Sequence, residues 1–348
     1  REAIRFNTMV TLAAPREDGR WDVTFDDGET VLYKGVIVAN GHHWDCRYPE
    51  YPGAFTGEWL HSKQYRRPEQ LRGKRVLVIG AGNSACDIAA EAARVAESSH
   101  WSMRRGHWFM PKTMFGVPTV ELLRPWMPTW LQRILLRICI RVIVGRYEDY
   151  GLQRPDHRIF ETHPTINSEV LHYLKHGRIA PHPDIAHFDG GSVEFVDGTR
   201  VDVDTIICAT GYRVSHPFLP EGLVPVKEAV PQVYAGGTHA QYKHLYVVGA
   251  LQVRYGFGPL LTPYAQLFAR IIEVQDEMEL PIGRIFQFLR QHPPDSHLIC
   301  PFKGLRMLRL ARMVLPVLPF VERRIRKWKP TSDASSKVLM DTAGHANR

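Results

Sequence analysis

Cysteine is scarce in this 348-residue chain, and its spacing argues against two kinds of site. No two cysteines form a CxxC pair, which argues against a zinc site and against a redox-active dithiol. The five residues are odd in number and scattered, at Cys46, Cys86, Cys139, Cys208 and Cys300. Such a distribution is typical of reduced thiols, so we expect a cytoplasmic protein without a bound metal.

Long apolar runs are also missing. The sequence has no apolar segment of about 18 residues and no signal peptide at its visible start, so it predicts neither a spanning helix nor secretion. No DNA- or RNA-binding motif accompanies the net charge of +8, and we expect no nucleic-acid partner. The basic charge leaves three alternatives: an anionic cofactor, an anionic membrane surface, or a solvated basic face.

The apolar patterning predicts a mixed α/β protein with room for two domains. Period-two alternation at 21–25 and a turn at 26–28 predict a β-hairpin, and a second hairpin is predicted at 193–198. Continuous apolar segments predict buried strands at 35–39, 74–79, 205–209 and 245–249, with another strand near 100–103. Helices are predicted at 86–93, at 131–141 and from about Pro263.

A glycine-rich loop follows the strand at 74–79 and leads into an alanine-rich helix. Its pattern is GxGxxA, with Gly80 for the tight turn, Gly82 for close approach of a pyrophosphate, and Ala85 for helix packing. The free N–H groups of the following helix attract phosphate, and Asn83 and Ser84 add side-chain donors. This strand–turn–helix order predicts a dinucleotide site.

The end of the next strand indicates which dinucleotide is bound. NAD sites usually place a carboxylate there, roughly 20 residues after the glycine loop. Here Arg104 lies 24 residues after Gly80, and Arg105 follows it. Two guanidinium groups suit the 2′-phosphate of NADPH, so the sequence favours NADPH over NAD.

Three motifs in one order resemble the flavin-containing monooxygenases, which are class B flavoprotein monooxygenases, and their YUCCA-type relatives. The first is FxGxxxHSxxY over 55–65, which contains His61 and Tyr65; the glycine loop is the second. The third, Cys208-Ala209-Thr210-Gly211-Tyr212, is similar to the ATGY segment of that family. The strand at 245–249 with Gln252 resembles the second return of the chain to the flavin.

The resemblance implies an α/β fold with two Rossmann-like dinucleotide-binding domains. An NADPH domain would be inserted in an FAD domain that is incomplete at its N-terminus. The implied parts are an FAD-domain remnant and linker at 1–70, an NADPH domain at 71–207 with an irregular insertion at 106–165, an FAD-domain return at 208–300 and a basic amphipathic tail at 301–348. FAD-side contacts are expected from Gly41, Thr210, Gly211, Tyr212, Gly249 and Gln252.

The activity that the resemblance implies is oxygenation of a soft nitrogen or sulfur atom of a small organic substrate. NADPH would reduce FAD, and molecular oxygen would form a flavin hydroperoxide that oxidises the substrate. The cofactor carries this chemistry, so no side-chain nucleophile is predicted. His61 is expected to form a hydrogen bond in the linker rather than act as a base. Tyr65 favours heteroatom oxygenation, because Baeyer–Villiger relatives have Trp at that position.

Two alternatives to this activity stay open: a Baeyer–Villiger monooxygenase and a non-catalytic NADP-binding module. No glycine loop for FAD precedes residue 76, so we expect the chain to be a fragment that holds FAD weakly. A disulfide reductase would need a CxxC pair beside the flavin.

Two basic amphipathic segments, near 130–145 and 305–329, leave the membrane question open. In the first, Arg133, Arg137 and Arg141 recur every four residues and form one stripe of a helix. Such helices lie on anionic membranes, or cover a core with their arginines solvated. Peripheral membrane contact therefore remains an alternative to a purely cytoplasmic protein.

Overall fold

The computed structural model describes residues 4–124, 127–250, 252–254, 256, 258–296 and 298–328. It divides into two compact units. The inner unit is Gly41–Ser215, and the split unit is formed by the described residues up to Asn40 and from His216 onward. Residues 329–348 of the basic amphipathic tail that the resemblance implied lie outside the described residues.

The strands of the described residues are, in chain order, β1 Val10–Pro15, β2 Trp21–Phe25, β3 Thr30–Tyr33, β4 Val36–Val38, β5 Asp45–Cys46, β6 Gly53–Phe55, β7 Glu58–His61, β8 Arg75–Ile79, β9 Ser98–Ser102, β10 Phe109–Met110, β11 Thr113–Met114, β12 Val117–Pro118, β13 Thr165–Ile166, β14 Ala180–His182, β15 Ile185–Gly190, β16 Ser192–Phe195, β17 Arg200–Asp202, β18 Thr205–Cys208, β19 Tyr212–Arg213, β20 Val226–Lys227, β21 Val230–Pro231, β22 Leu245–Val247, β23 Gln252–Val253 and β24 Leu298–Ile299. The helices are α1 Asn83–Val95, α2 Thr129–Ile143, α3 Glu169–Lys175, α4 Gly258–Asp276, α5 Ile282–Phe288, α6 Pro301–Val314 and α7 Leu318–Trp328. Short 3-10 turns lie at Pro68–Gln70, Thr119–Glu121, Tyr147–Tyr150 and Leu315–Val317. These bounds confirm the strands and hairpins predicted from the apolar patterning.

The inner unit is built on a five-stranded parallel sheet in the order β14-β9-β8-β18-β7. The central strands β8 and β18 are almost wholly buried, as their continuous apolar sequences require. Helix α1 packs against β8 and β9. A second sheet, in the order β17-β16-β15-β6, packs against the first. Ile79 of β8 and Ile206 of β18 share one apolar core with Phe188 and Phe195 of the second sheet.

The split unit contains an antiparallel sheet, β1-β2-β3, and a parallel pair, β4 with β22. Trp21 and Val38 share one core with Leu245 and Val247. Helices α4 to α7 form a second apolar cluster around Phe268. Along the described residues, no helix combines the length and apolar composition that are needed to cross a membrane.

The family resemblance implied domain divisions at residues 70 and 207, and the compact units divide the chain after Asn40 and after Ser215. Strand β7 at 58–61 pairs with β18, and β5 at 45–46 pairs with β19, so segment 41–70 is part of the inner unit. The split unit is interrupted in sequence by the inner unit, as in the expected insertion of one domain into another.

Helix α4 corrects the predicted start near Pro263. It begins at Gly258, and Pro263 lies inside it. A proline normally costs a helix one hydrogen bond and marks a boundary. Here the apolar residues Leu260, Leu267 and Ile271 are buried along α4 on both sides of the proline. This packing keeps the residues that precede Pro263 in the helix.

Two histidines on neighbouring strands predict acid sensitivity of the inner unit. The Nδ1 of His100 and the Nε2 of His182 lie 3.0 Å apart, and the His182 ring stacks on Phe195 at 4.1 Å. Burial, and then the charge of His100, lower the pKa of His182 to about 4, and burial lowers the pKa of His100. The folded state therefore favours the neutral rings, and the stability that they contribute is present above the unfolded pKa of about 6.5 and lost as pH falls toward 4.

We expect the urea midpoint of unfolding to fall between about pH 7 and about pH 5, and His182→Gln to reduce that fall, because glutamine does not take up a proton. The control is His176→Gln, which removes an exposed histidine at the C-cap of α3 and leaves the His100–His182 pair intact. An equal pH dependence in wild type and His182→Gln would contradict the assignment.

Candidate cofactor site

The glycine loop connects β8 to α1 in a conformation that residue 80 can adopt only as glycine. Gly80 has a φ of +124°, which L side chains rarely adopt. A Cβ on Gly80 would also lie 2.4 Å from the carbonyl oxygen of Ala209 on the neighbouring strand. The turn and the close approach of β18 together require this glycine.

Gly82 precedes the first residue of α1, and the protein itself does not require a glycine there. Its φ is −79°, and a Cβ built on it would meet no described atom within 4 Å. The space beside Gly82 opens beside the helix N-terminus, where the first N–H groups have no partner inside the helix. Ala85, one turn on, is fully buried against the sheet. This geometry fits a phosphate that approaches the backbone closely.

Side chains from distant segments hold the loop carbonyls. The indole Nε1 of Trp101 donates to the carbonyl oxygen of Gly80 at 2.6 Å, and the Thr165 hydroxyl donates to that of Ala81 at 3.0 Å. The Asn83 side-chain oxygen accepts from the backbone N–H of Ile166 at 2.8 Å, which leaves its amide nitrogen for a ligand. Neither Trp101 nor Thr165 was predicted from the sequence; an aromatic residue on a predicted buried strand was the available signal for Trp101.

A cavity of about 690 Å³ lies at the carboxyl ends of β8, β9 and β18. Four of the predicted NADPH-binding residues line this cavity: Gly80, Gly82, Arg104 and Arg105. Two of the predicted flavin-side residues, Thr210 and Gly211, line it as well. Arg104 and Arg105 are exposed just beyond the end of β9. Ser102 also lines the cavity, but its hydroxyl donates to the carbonyl oxygen of Pro183 at 2.7 Å.

The charges around this cavity favour an anion. Two further arginines, Arg47 and Arg213, line it with Arg104 and Arg105, against the carboxyl groups of Glu50 and Asp184. The Tyr51 hydroxyl donates to the Asp184 carboxylate at 2.8 Å. Burial, and then this carboxylate, raise the pKa of Tyr51 far above its ordinary value. The phenol therefore stays protonated and shields the carboxylate.

His61 is buried and links two loops of the inner unit. Its Nδ1 accepts from the backbone N–H of Lys63 at 3.2 Å, so its Nε2 carries the hydrogen and donates to the carbonyl oxygen of Gly211 at 3.0 Å. Burial lowers the pKa of His61 and keeps the ring neutral. The ring also contacts the Tyr212 ring edge-on. Both ring nitrogens are occupied, which fits a positioning residue rather than a general base.

Tyr65 also makes a contact within the inner unit. Its hydroxyl donates to Oε2 of Glu91 on α1 at 2.7 Å. Burial, and then Glu91, raise the pKa of Tyr65 far above its ordinary value. The 55–65 segment is thus joined to the Gly211 loop through His61 and to α1 through Tyr65.

Comparison of the sequence with known proteins identifies the family of this chain. Residues 2–271 match the family model described as "Flavin-binding monooxygenase-like". The chain belongs to this family. Flavin-containing monooxygenase 5 of Oryctolagus cuniculus is 34% identical over 247 residues, which are 65% of this chain and 46% of that protein. Dimethylaniline monooxygenase [N-oxide-forming] 2 of Rattus norvegicus is 30% identical over 292 residues, which are 78% of this chain and 54% of that protein. The chain spans about half the length of these relatives.

The fold of this flavin-binding monooxygenase-like chain also resembles a solved enzyme of the class B type. The closed crystal structure of cyclohexanone monooxygenase superposes with a TM-score of 0.61 at 15% identity, and covers 91% of this chain and 80% of that one. This likeness confirms the α/β fold with two Rossmann-like domains. It shows the fold alone.

The flavin-side residues that the family resemblance predicted are divided between the two units. Gly41 begins the inner unit with a φ of +72°. Thr210 donates from its hydroxyl to the Arg47 carbonyl oxygen, and Tyr212 lies in β19, paired with β5. Gly249, with a φ of +77°, and Gln252 lie in the split unit.

Proposed function

We propose that this chain supplies the NADPH-binding part of an NADPH- and FAD-dependent monooxygenase that oxygenates a soft nitrogen or sulfur atom. The observation that carries the proposal is the free space at Gly82. That space opens beside the N-terminus of α1 and belongs to a cavity lined by Arg104 and Arg105. Membership of the flavin-binding monooxygenase-like family supports the same assignment.

Each part of the cavity has a role in this proposal. The N–H groups at the start of α1 bind the pyrophosphate, which enters the space that a side chain at Gly82 would fill. Arg104 and Arg105 bind the 2′-phosphate, and Trp101 and Thr165 hold the loop in its binding conformation. His61 orients the Gly211 loop through its Nε2–H. The cofactors, when bound, supply hydride transfer and oxygen activation.

Heteroatom oxygenation is proposed over the Baeyer–Villiger reaction because of Tyr65. The relatives whose names specify a reaction include an N-oxide-forming enzyme, and their sequence identity to this chain exceeds that of cyclohexanone monooxygenase. The substrate class therefore comprises small molecules with an accessible amine or sulfide, and molecular oxygen is the second substrate.

A peripheral membrane contact through α2 is part of the proposal. Trp130, Ile134, Ile138 and Val142 recur every four residues along α2, and each is about half exposed or more. Arg137 and Arg141 are exposed beside this apolar stripe. An apolar stripe flanked by arginines suits the interface of an anionic membrane.

Calorimetry with NADPH, and a visible absorption spectrum of the same purified protein, test the proposal. We expect tight NADPH binding and a larger affinity than for NADH. A flavin absorption band near one equivalent would show that this chain also holds FAD. Absence of binding for both cofactors would refute the proposal and leave the family resemblance without this function.

A further inference from the structure

A second cavity of the inner unit is lined by arginines and is separate from the glycine-loop cavity. It measures about 910 Å³ and lies between the C-terminal half of α2 and segment 145–161. Five arginines line it: Arg137, Arg141, Arg146, Arg154 and Arg158. The two cavities have no lining residue in common.

Only part of this positive charge is matched by carboxylates. Arg146 lies 3.9 Å from Glu148, and Arg158 lies 3.8 Å from Glu161. Asp156, the third carboxylate of the lining, interacts with the His157 ring at 2.9 Å. Among the described residues, no carboxylate forms an ion pair with the remaining three arginines, which are Arg137, Arg141 and Arg154. Arg137 and Arg141 are four residues apart on α2, a spacing at which like charges repel.

Contacts within the inner unit position several residues of the cavity wall. The Trp108 indole donates to the carbonyl oxygen of His157 at 2.7 Å, and the guanidinium of Arg137 lies over the Trp108 ring at 5.8 Å. A guanidinium placed over an aromatic ring keeps its edge N–H groups for a planar or tetrahedral anion. A Cβ on Gly106 would lie 2.3 Å from the carbonyl oxygen of Arg154, and Gly106 forms an isolated β-bridge with Pro155, so the backbone that carries Arg154 is held against residue 106.

From this arrangement we infer that the arginine cavity is a binding site for a phosphate-bearing ligand, distinct from the dinucleotide. Guanidinium forks bind phosphate oxygens through pairs of charge-assisted hydrogen bonds. The lining has five arginines and three carboxylates, and its net charge of +2 matches the charge of about −2 on a phosphate monoester. A bound phosphate would also relieve the repulsion between Arg137 and Arg141 along α2. The ligand is either a soluble phosphate or the headgroup of an acidic phospholipid. The second source is compatible with the exposed apolar stripe of α2.

The indole N–H of Trp108 provides a reporter inside this cavity. In protein labelled with ¹⁵N-tryptophan, the indole resonance that is missing from Trp108→Phe belongs to Trp108. Titration with inorganic phosphate should shift this resonance. In Arg137→Gln/Arg154→Gln the apparent Kd should rise at least about tenfold, since each charge-assisted hydrogen bond is worth more than a neutral one. The control is Arg66→Gln/Arg67→Gln, an exposed pair outside both cavities, which should titrate as the wild type does.

Sedimentation with phosphatidylcholine vesicles, with and without phosphatidic acid, separates the two sources. Binding to the acidic vesicles alone, lost in Arg137→Gln/Arg154→Gln but kept in the control pair, would identify a lipid headgroup. A phosphate-dependent shift of Trp108 without vesicle binding would identify a soluble phosphate. The inference is overturned if inorganic phosphate leaves the Trp108 resonance unshifted and the protein does not bind selectively to the acidic vesicles. An equal loss of binding in both arginine pairs overturns it as well. Arg154→Lys keeps the charge without the fork and should bind phosphate with intermediate affinity, which separates recognition from a folding defect.

Discussion

Gly82→Val should abolish NADPH binding while the protein stays folded. A side chain at this position would occupy the space beside the N-terminus of α1 that we assign to the pyrophosphate. We expect the Kd for NADPH, measured by calorimetry, to rise at least about 100-fold, or about 2.7 kcal/mol. Because the φ of −79° suits any residue and no described atom lies within 4 Å, the stability cost should be limited to the helix cap, about 1 kcal/mol.

Gly191→Val is the matched control for Gly82→Val. Gly191 also has open space at its Cβ position, and it lies between β15 and β16, away from the glycine loop. This variant should bind NADPH like the wild type. Unchanged NADPH affinity in Gly82→Val would mean that the loop has a structural role only. Gly80 is unsuitable for this test, because a side chain there would collide with Ala209 and unfold the turn.

In the Arg104→Ala/Arg105→Ala variant, the affinity for NADPH should fall until it nearly equals the affinity for NADH. Only NADPH carries the 2′-phosphate, so losing two guanidinium groups removes contacts that NADH never makes. With hydrogen bonds to charged groups worth about 1.5–3 kcal/mol each, we expect NADPH affinity to fall roughly 100-fold and NADH affinity to change by less than about threefold.

The exposed pair Arg66 and Arg67 again provides a control, since Arg66→Ala/Arg67→Ala removes the same charge away from the cavity. This control distinguishes direct contact from a general loss of positive charge. An equal loss of affinity for both nucleotides in Arg104→Ala/Arg105→Ala would argue against the assignment of the 2′-phosphate contacts.

Local features of the site could be predicted from sequence because local physics determines them. A run of apolar residues predicts strand β8, and the two glycines after it predict a turn. The alanine-rich segment that follows, with helical periodicity, predicts α1. Arg104 and Arg105 could be assigned to the cofactor site because they lie at the expected distance along the chain from the glycine loop. Helix α2 was predicted as well, with its arginine stripe, but its exposed apolar stripe was not distinguished from a core-facing one.

Long-range features of the site could not be predicted. Thr210 and Gly211 were assigned to the flavin side, and they line the glycine-loop cavity because β18 pairs directly with β8. The contact of Thr165 with Ala81 joins residues 84 positions apart. Periodicity reports which face of an element is buried, but not which distant segment covers it.

The interrupted course of the split unit has a consequence for how the protein is made. Strand β4 and its partner β22 are separated by the whole inner unit, so ribosomal synthesis delivers them about 200 residues apart. The inner unit, whose sheets use only residues 41–215, is complete first and can fold while the later helices are still being translated. Until β22 emerges, β4 has an unpaired edge and the apolar side of Trp21 lacks its partners Leu245 and Val247. Closing so long a loop is slow, so we expect the core around Trp21 to be completed late in folding.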